Sequence, residues 1–182
     1  MTLPTFETDR LLLRPRSPSD TQACLAMDRE PEVTRFVRGP WEDPKAHRAF
    51  IEGRTRGPYP PGLGYWAVAR RDRPDSFLGW ILLIPLDAVG PEVEIGWRLR
   101  RAAWGQGLAT EAAREILRHG FETARLERVI AEIDVANAAS VRVAEKLGLR
   151  RGAQGNGTCR FELASARWAG TGETPVPVGP TA

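Results

Sequence analysis

Lysine is almost missing from this chain: Lys45 and Lys146 are the only two, so the formal charge of +3 and the isoelectric point near 9.3 rest on arginine. Those arginines are scattered, with no run of aromatic and basic residues such as RNA-binding sheets carry, which argues against a nucleic-acid partner. A modest positive field suits a polyanionic small ligand equally well. Cysteine is nearly as scarce. Cys24 falls in an apparent helix and Cys159 in a late strand, with no CxxC, so two buried free thiols are expected rather than a disulfide or metal pair. His47 and His119 are far apart and show no HExxH spacing, which excludes the usual zinc designs, and no metal is expected. No apolar run approaches the ~18 residues of a membrane span, and MTLPTFETDR lacks a basic-then-apolar leader. A cytoplasmic protein without membrane attachment is the expectation.

The 182 residues suit one domain over 1–168, and a chain of this size buries roughly two-thirds of its unfolded surface without a metal or disulfide staple. From Ala169 on, AGTGETPVPVGPTA has almost no apolar periodicity and reads as a flexible tail. RLLLRPR at 10–16 reads as a first strand. Ser17 and Pro18 then mark the cap and first position of a helix to about Met27, and Asp43 starts a second, DPKAHRAFIEGRTR. GPYPPGLG at 57–64 can only be a loop. YWAVARR, FLGWILLIPLD and VEIGWRLR, separated by DRPDS and AVGPE, have the spacing of an antiparallel meander.

The pattern then turns helical. Leu108, Ala112, Ile116 and Leu117 recur at helix spacing with charged residues among them. RVIAEIDV at 128–135 alternates as a strand, AASVRVAEKLG forms a short helix ending at Gly148, and TCRFELASARW at 158–168 completes the sheet. The expected class is α/β (α+β), a mixed sheet with helices on its faces.

Between the meander and the long helix lies WGQGLATE at 104–111. A P-loop would need GK[ST] at its end, which is absent, and a dinucleotide fingerprint would need a third glycine where Thr110 stands. Gly105 and Gly107 leave the backbone open to a ligand, and a helix starting there adds free N–H groups and a positive dipole end. That is an anion cradle suited to a pyrophosphate. A plain strand-to-helix turn would need the same glycines.

The surrounding segments favour the cradle, because residues 7–168 resemble the GNAT superfamily of acyl-CoA-dependent N-acetyltransferases. The family's [RQ]-x-x-G-x-[GA] motif falls on Trp104, Gly107 and Ala109. Tryptophan followed by GxGxATEA is similar to the ribosomal-protein N-terminal acetyltransferase group. EIGWRL at 94–99 resembles the family's splayed fourth strand, and NAASVRVAEKLGLR at 137–150 its cofactor-contacting helix. The resemblance implies a GNAT fold, mostly antiparallel and splayed at that strand, with acetyl-CoA as co-substrate. It further implies that the backbone of Trp97, Arg98 and Leu99 holds the pantetheine arm, an open sheet edge being suited to that. The N–H groups over Trp104, Gly105, Gln106, Gly107, Leu108, Ala109 and Thr110 would hold the pyrophosphate. Asn137 has an amide suited to pantetheine, and equally to a helix cap. Homodimerisation through a sheet edge or the late strands is implied by family habit alone.

Amide formation from a thioester needs a free amine, an oxyanion donor and a proton for the departing thiolate. The resemblance implies a backbone N–H near Trp97 or Leu99 as the donor. Glu94 shares a strand face with Gly96 and is the candidate base, with Glu92 as the next choice. The tyrosine many relatives use as acid is replaced by Ala144; the resemblance implies Ser140 as its substitute, although a serine in a helix's first turn needs no such role. No cysteine lies near the motifs, which favours direct transfer in a ternary complex. An acceptor pocket is expected from the first two helices and the 57–64 loop, walled by Trp41, Tyr59, Tyr65 and Trp66. The acceptor is a primary amine, small or a protein N-terminus; a longer acyl-CoA donor or a non-catalytic CoA-binding module are the alternatives.

Overall fold

The structure, a computed structural model, describes residues 3–168; the tail expected at 169–182 lies outside the described residues. Eight strands form one sheet: β1 (Phe6–Glu7), β2 (Leu11–Pro15), β3 (Gly64–Arg70), β4 (Arg73–Pro85), β5 (Val93–Leu99), β6 (Arg128–Asp134), β7 (Arg150–Gly155) and β8 (Thr158–Ala164). Their order is β1-β2-β3-β4-β5-β6-β8-β7, and every pairing is antiparallel except β5 with β6. The helices are α1 (Thr21–Asp28), α2 (Pro31–Thr34), α3 (Pro44–Arg56), α4 (Leu108–Glu122) and α5 (Ala138–Lys146).

Alternation along the strands sorts the core onto two faces. Leu11, Leu13, Ile81, Leu83 and Ile95 pack with Ala112, Ile116 and Leu117 of α4 and Ala144 of α5. On the opposite face, Cys24 and Leu25 of α1 and Ile51 of α3 pack on Phe77 and Trp80. Tyr65, Leu82 and Ile84 continue that second layer. The mixed, mostly antiparallel sheet covered on both faces is the class anticipated from the sequence. The splayed strand is the fifth rather than the fourth, because the two-residue β1 precedes the first expected strand.

Helix ends follow their local chemistry. The Asp43 carboxylate accepts from the amides of Lys45 and Ala46 and caps α3. Asn137 Oδ1 accepts from the Ser140 amide at 3.1 Å and caps α5, which Gly148 closes in the left-handed region at φ 86°. The helix expected from Pro18 begins as a 3-10 turn, Pro18–Asp20, before α1. Three short elements carry no sequence signal strong enough to anticipate: β1, the single-turn α2, and β7. All six residues of β7 are exposed, so no apolar alternation marks it. The last expected strand stops at Ala164, where Ser165–Arg167 turn as a 3-10 helix.

Gly79 sets the approach of β4 to β5. It lies opposite Leu99 at φ 149°, and a Cβ there would stand 2.1 Å from the Arg98 carbonyl oxygen. Replacement of Gly79 by Ala should therefore cost about 3 kcal/mol, from backbone strain and overpacking together. Urea unfolding followed by circular dichroism measures it; a change below ~1 kcal/mol would mean that β5 shifts freely.

Candidate functional site

Strand β5 pairs with β4 along its whole length but meets β6 at one position, Glu94 opposite Ile130. Beyond that point the strands part, and a cleft of about 920 Å³ opens between Ile95–Leu99 on one side and Ala131–Asp134 on the other. Backbone groups along the inner edge of β5 therefore have no strand partner there. One carbonyl is taken: the Trp104 indole N–H donates to Leu99 O at 2.8 Å. The side chain that replaces Arg or Gln at this motif position thus braces the end of the parted strand.

The loop after β5 forms one end of the cleft. Gly105 and Gly107 lie at φ 73° and 76°, and a Cβ on Gly105 would meet nothing within 4 Å. Both glycines are required by backbone conformation, and the space beside them is open. Gly107 is the cap residue of the 15-residue α4, so the first-turn amides of Leu108, Ala109 and Thr110 have no intrahelical acceptor. The helix start is fixed from behind by Glu111, which accepts from Thr8 Oγ1 at 2.5 Å and from Arg10 Nε at 2.7 Å. Gln106 turns away from the cleft: its Oε1 accepts from Arg70 Nη2 at 2.6 Å and its Nε2 donates to Ala102 O. The open, N–H-lined end of α4 fits a pyrophosphate.

Glu94 lines the middle of the cleft, partly buried, with no hydrogen-bond or ion-pair partner among the described residues. Burial, then repulsion from Glu132 and Asp87, pushes its carboxyl up to about 7, against the attraction of Arg54. Glu92 differs. Arg160 and Arg128 grip it, and the bond from Arg160 holds it below the ordinary carboxylate range, which makes it a poor proton acceptor at neutral pH. Across the gap, the Trp97 indole N–H donates to Ser140 Oγ at 3.3 Å. A hydroxyl that accepts from the indole keeps its own proton free for another acceptor. Ala144, on the inner face of α5, is fully buried in the core and offers nothing to the cleft.

Arg98 also lines the cleft. Its guanidinium points to the α1 face, where Nη1 donates to Asp28 Oδ1 at 2.8 Å and the group lies 5.0 Å from the ring centres of both Trp41 and Trp80. The other Asp28 oxygen meets His47 Nε2 at 3.0 Å. This buried set ties β5 to α1 and α3. Tyr65, Trp80, Leu82, Ile84 and Phe50 wall the remaining end. Trp66 does not join them: its β3 position faces the α4 side, and it is fully buried against Phe6 and His119. A one-residue step along a strand reverses the face, so Tyr65 and Trp66 cannot serve the same pocket. Tyr59 borders a smaller neighbouring hollow.

The structure thus brings Glu94, Trp97, Arg98, Leu99, Trp104, Gly105, Gly107, Leu108, Ala109, Thr110, Asn137 and Ser140 to one cleft, and leaves Gln106 outside it. It adds Arg16, Arg54, Arg142 and Lys146, which sequence reading passed over. Only the helix spacing of Arg142 and Lys146 after Asn137 could have suggested a shared edge. Among the described residues no cluster of His, Cys, Asp and Glu forms a metal site, and no helix is long and apolar enough to cross a membrane.

Comparison with known proteins bears on this arrangement. A family model described as an acetyltransferase (GNAT) domain matches residues 10–150. The uncharacterized protein YkkB of Bacillus subtilis is 35% identical over 145 residues, covering 78% of this chain and 83% of its own. The FsC-acetyl coenzyme A-N(2)-transacetylase of Aspergillus fumigatus is 32% identical over 155 residues, covering 80% of this chain and 65% of its own. The crystal structure of a GNAT-family acetyltransferase from Bacillus anthracis superposes with a TM-score of 0.73 at 23% identity, over 90% of this chain and 99% of that one, a likeness of fold.

The raised Glu94 carboxyl has a consequence for stability. Below about pH 4.5 it is protonated folded and unfolded, so its burial carries no charge penalty; as pH rises through about 7 that advantage is lost. Glu94→Gln should accordingly leave the melting temperature unchanged at pH 4 and raise it at pH 8. An equal effect at both values would show that the carboxyl is not desolvated.

Proposed function

Because this chain belongs to the acetyltransferase (GNAT) family, we propose that it transfers the acetyl group of acetyl-CoA to a primary amine, of a small molecule or a protein N-terminus, by direct attack in a ternary complex. The observation that carries the reading is the meeting, in one cleft, of an unpartnered carboxylate titrating near neutrality with the open N-terminus of α4. Within the family, the Trp104-containing loop favours the ribosomal-protein N-terminal acetyltransferase group. We take residues 1–168 as the acting domain, working in the cytoplasm.

In this reading the amides from Gly105 to Thr110 hold the pyrophosphate, and Arg142 and Lys146 add positive charge on the same rim. The parted edge of β5 from Trp97 to Leu99 receives the pantetheine as a strand would. Asn137, whose Oδ1 is spent on the helix cap, keeps its NH2 for the pantetheine. A β5 amide near Trp97 or Leu99 stabilises the oxyanion.

Glu94 accepts the proton of the incoming amine, directly or through one water, and a base near pH 7 is matched to that task. Ser140 supplies the proton or hydrogen bond to the departing thiolate, and Trp97 orients its hydroxyl. An acyl-cysteine route has no support: Cys159 is buried in β8, and burial pushes the Cys24 thiol up to about 11.

Three measurements test these roles. Calorimetric titration with acetyl-CoA should show binding that Gly107→Trp abolishes; retained binding would remove the loop from the cofactor site. Glu94→Gln should lower kcat roughly 100-fold and erase the rise of kcat/KM through about pH 7, leaving the limb of the acceptor amine. Ser140→Ala should lower kcat about tenfold or more, at unchanged affinity for acetyl-CoA, and normal turnover would exclude Ser140 from the mechanism.

A further inference from the structure

Arg16 is more than nine-tenths buried, and it lines the same cleft as Glu94. It follows β2, its amide donates to the Tyr65 carbonyl at 2.8 Å, and its guanidinium stacks 3.7 Å from the Tyr65 ring centre. Nε and Nη2 are shut off from solvent and have no hydrogen-bond partner. The nearby carboxylate of Asp20 is already engaged by Arg14 in two bonds of 2.8 and 2.6 Å. Buried donors left unpaired cost free energy, and a group that arrives with acceptor oxygens recovers it. Nε–H and one Nη–H form the edge of a guanidinium that meets both oxygens of a carboxylate.

The rest of the cleft is charged in two signs. Glu94 has Glu132 and Asp87 as neighbours in its field, a surrounding that attracts an ammonium group. Arg54, which has no ion-pair partner among the described residues, stands on the Arg16 side with Tyr65 and Tyr59 in its field. A polyamine placed here would bring a second cation against two arginines. A zwitterion would satisfy both ends.

Resting on the transferase reading above, we propose that the acceptor is a small amine bearing a carboxylate, with Arg16, helped by Arg54, as the carboxylate site. The amine then lies toward Glu94, and the guanidinium swings from its stack on Tyr65 to bring the unpaired edge to the ligand.

The experiment is an acetyl-CoA turnover assay, read as released thiol, on α- and ω-amino acids of increasing length, each beside its own carboxamide, with spermidine included. At least one amino acid should exceed its carboxamide about tenfold or more in kcat/KM. Arg16→Met keeps the apolar stem and removes the fork; it should bring that ratio near one by raising KM for the acid, while KM for acetyl-CoA stays fixed. Arg16→Lys, which keeps charge without the fork, should fall between, and it serves if the Met variant fails to fold. Equal or better turnover of carboxamides or spermidine overturns the carboxylate site and leaves the transferase reading standing. A preference that survives Arg16→Met removes Arg16 from the site. Acetyl-CoA binding with no member of the panel acetylated overturns the carboxylate site and leaves the transferase reading to an N-terminal peptide acceptor.

Discussion

A sheet that begins to pair and then stops is what the rest of this structure depends on. After Glu94 meets Ile130, β5 and β6 separate, although each stays fully paired on its other side with β4 and β8. Leaving strand edges unpaired in a protein interior is costly unless something else meets them. Here the neighbours hold the gap open. Arg98 is drawn out of the sheet plane to Asp28, Trp104 takes the Leu99 carbonyl, and the α4 start is pinned from behind by Glu111. Each of these acts on β5 or on the loop that follows it, so strand, loop and helix end form one unit.

That opening also arranges the electrostatics. At one end stand the free amides of α4 with Arg142 and Lys146, in the middle Glu94 with Glu132, and at the far end Arg16 and Arg54. Desolvation is the largest influence on Glu94, and like charge adds to it. The carboxylate of Glu92, in the turn just before β5, is reached by arginines and held low. Two carboxylates two residues apart, Glu92 just before β5 and Glu94 within it, thus have opposite fitness as bases, and the difference is the company each keeps.

Membership in the acetyltransferase (GNAT) family and the fold that goes with it were legible because their signals are local. Gly105 and Gly107 ahead of an amphipathic run, the three strand-like segments, and the Asn137–Gly148 helix each state their conformation within a dozen residues. Features without such a signal were missed: β7 has no buried residue to set an alternation, and β1 is two residues long. Aromatic character alone suggests Trp66 for the acceptor wall beside Tyr65, yet strand geometry sends the two to opposite faces.

Sequence by itself determined the glycine turn at Gly105–Gly107 ahead of α4, the order of the longer elements, and a carboxylate at Glu94 and a hydroxyl at Ser140, since backbone conformation and residue type are written position by position. Tertiary structure decided which carboxylate is desolvated, that Trp97 meets Ser140, that Gln106 faces away, and that Arg16 lies buried beside Tyr65 without a partner. Burial and pairing of this kind are properties of neighbours brought from distant positions in the chain. Arg16 and Glu94 are far apart in sequence, and only the assembled sheet, with β2, β3, β4 and β5 side by side, gives them a common cleft.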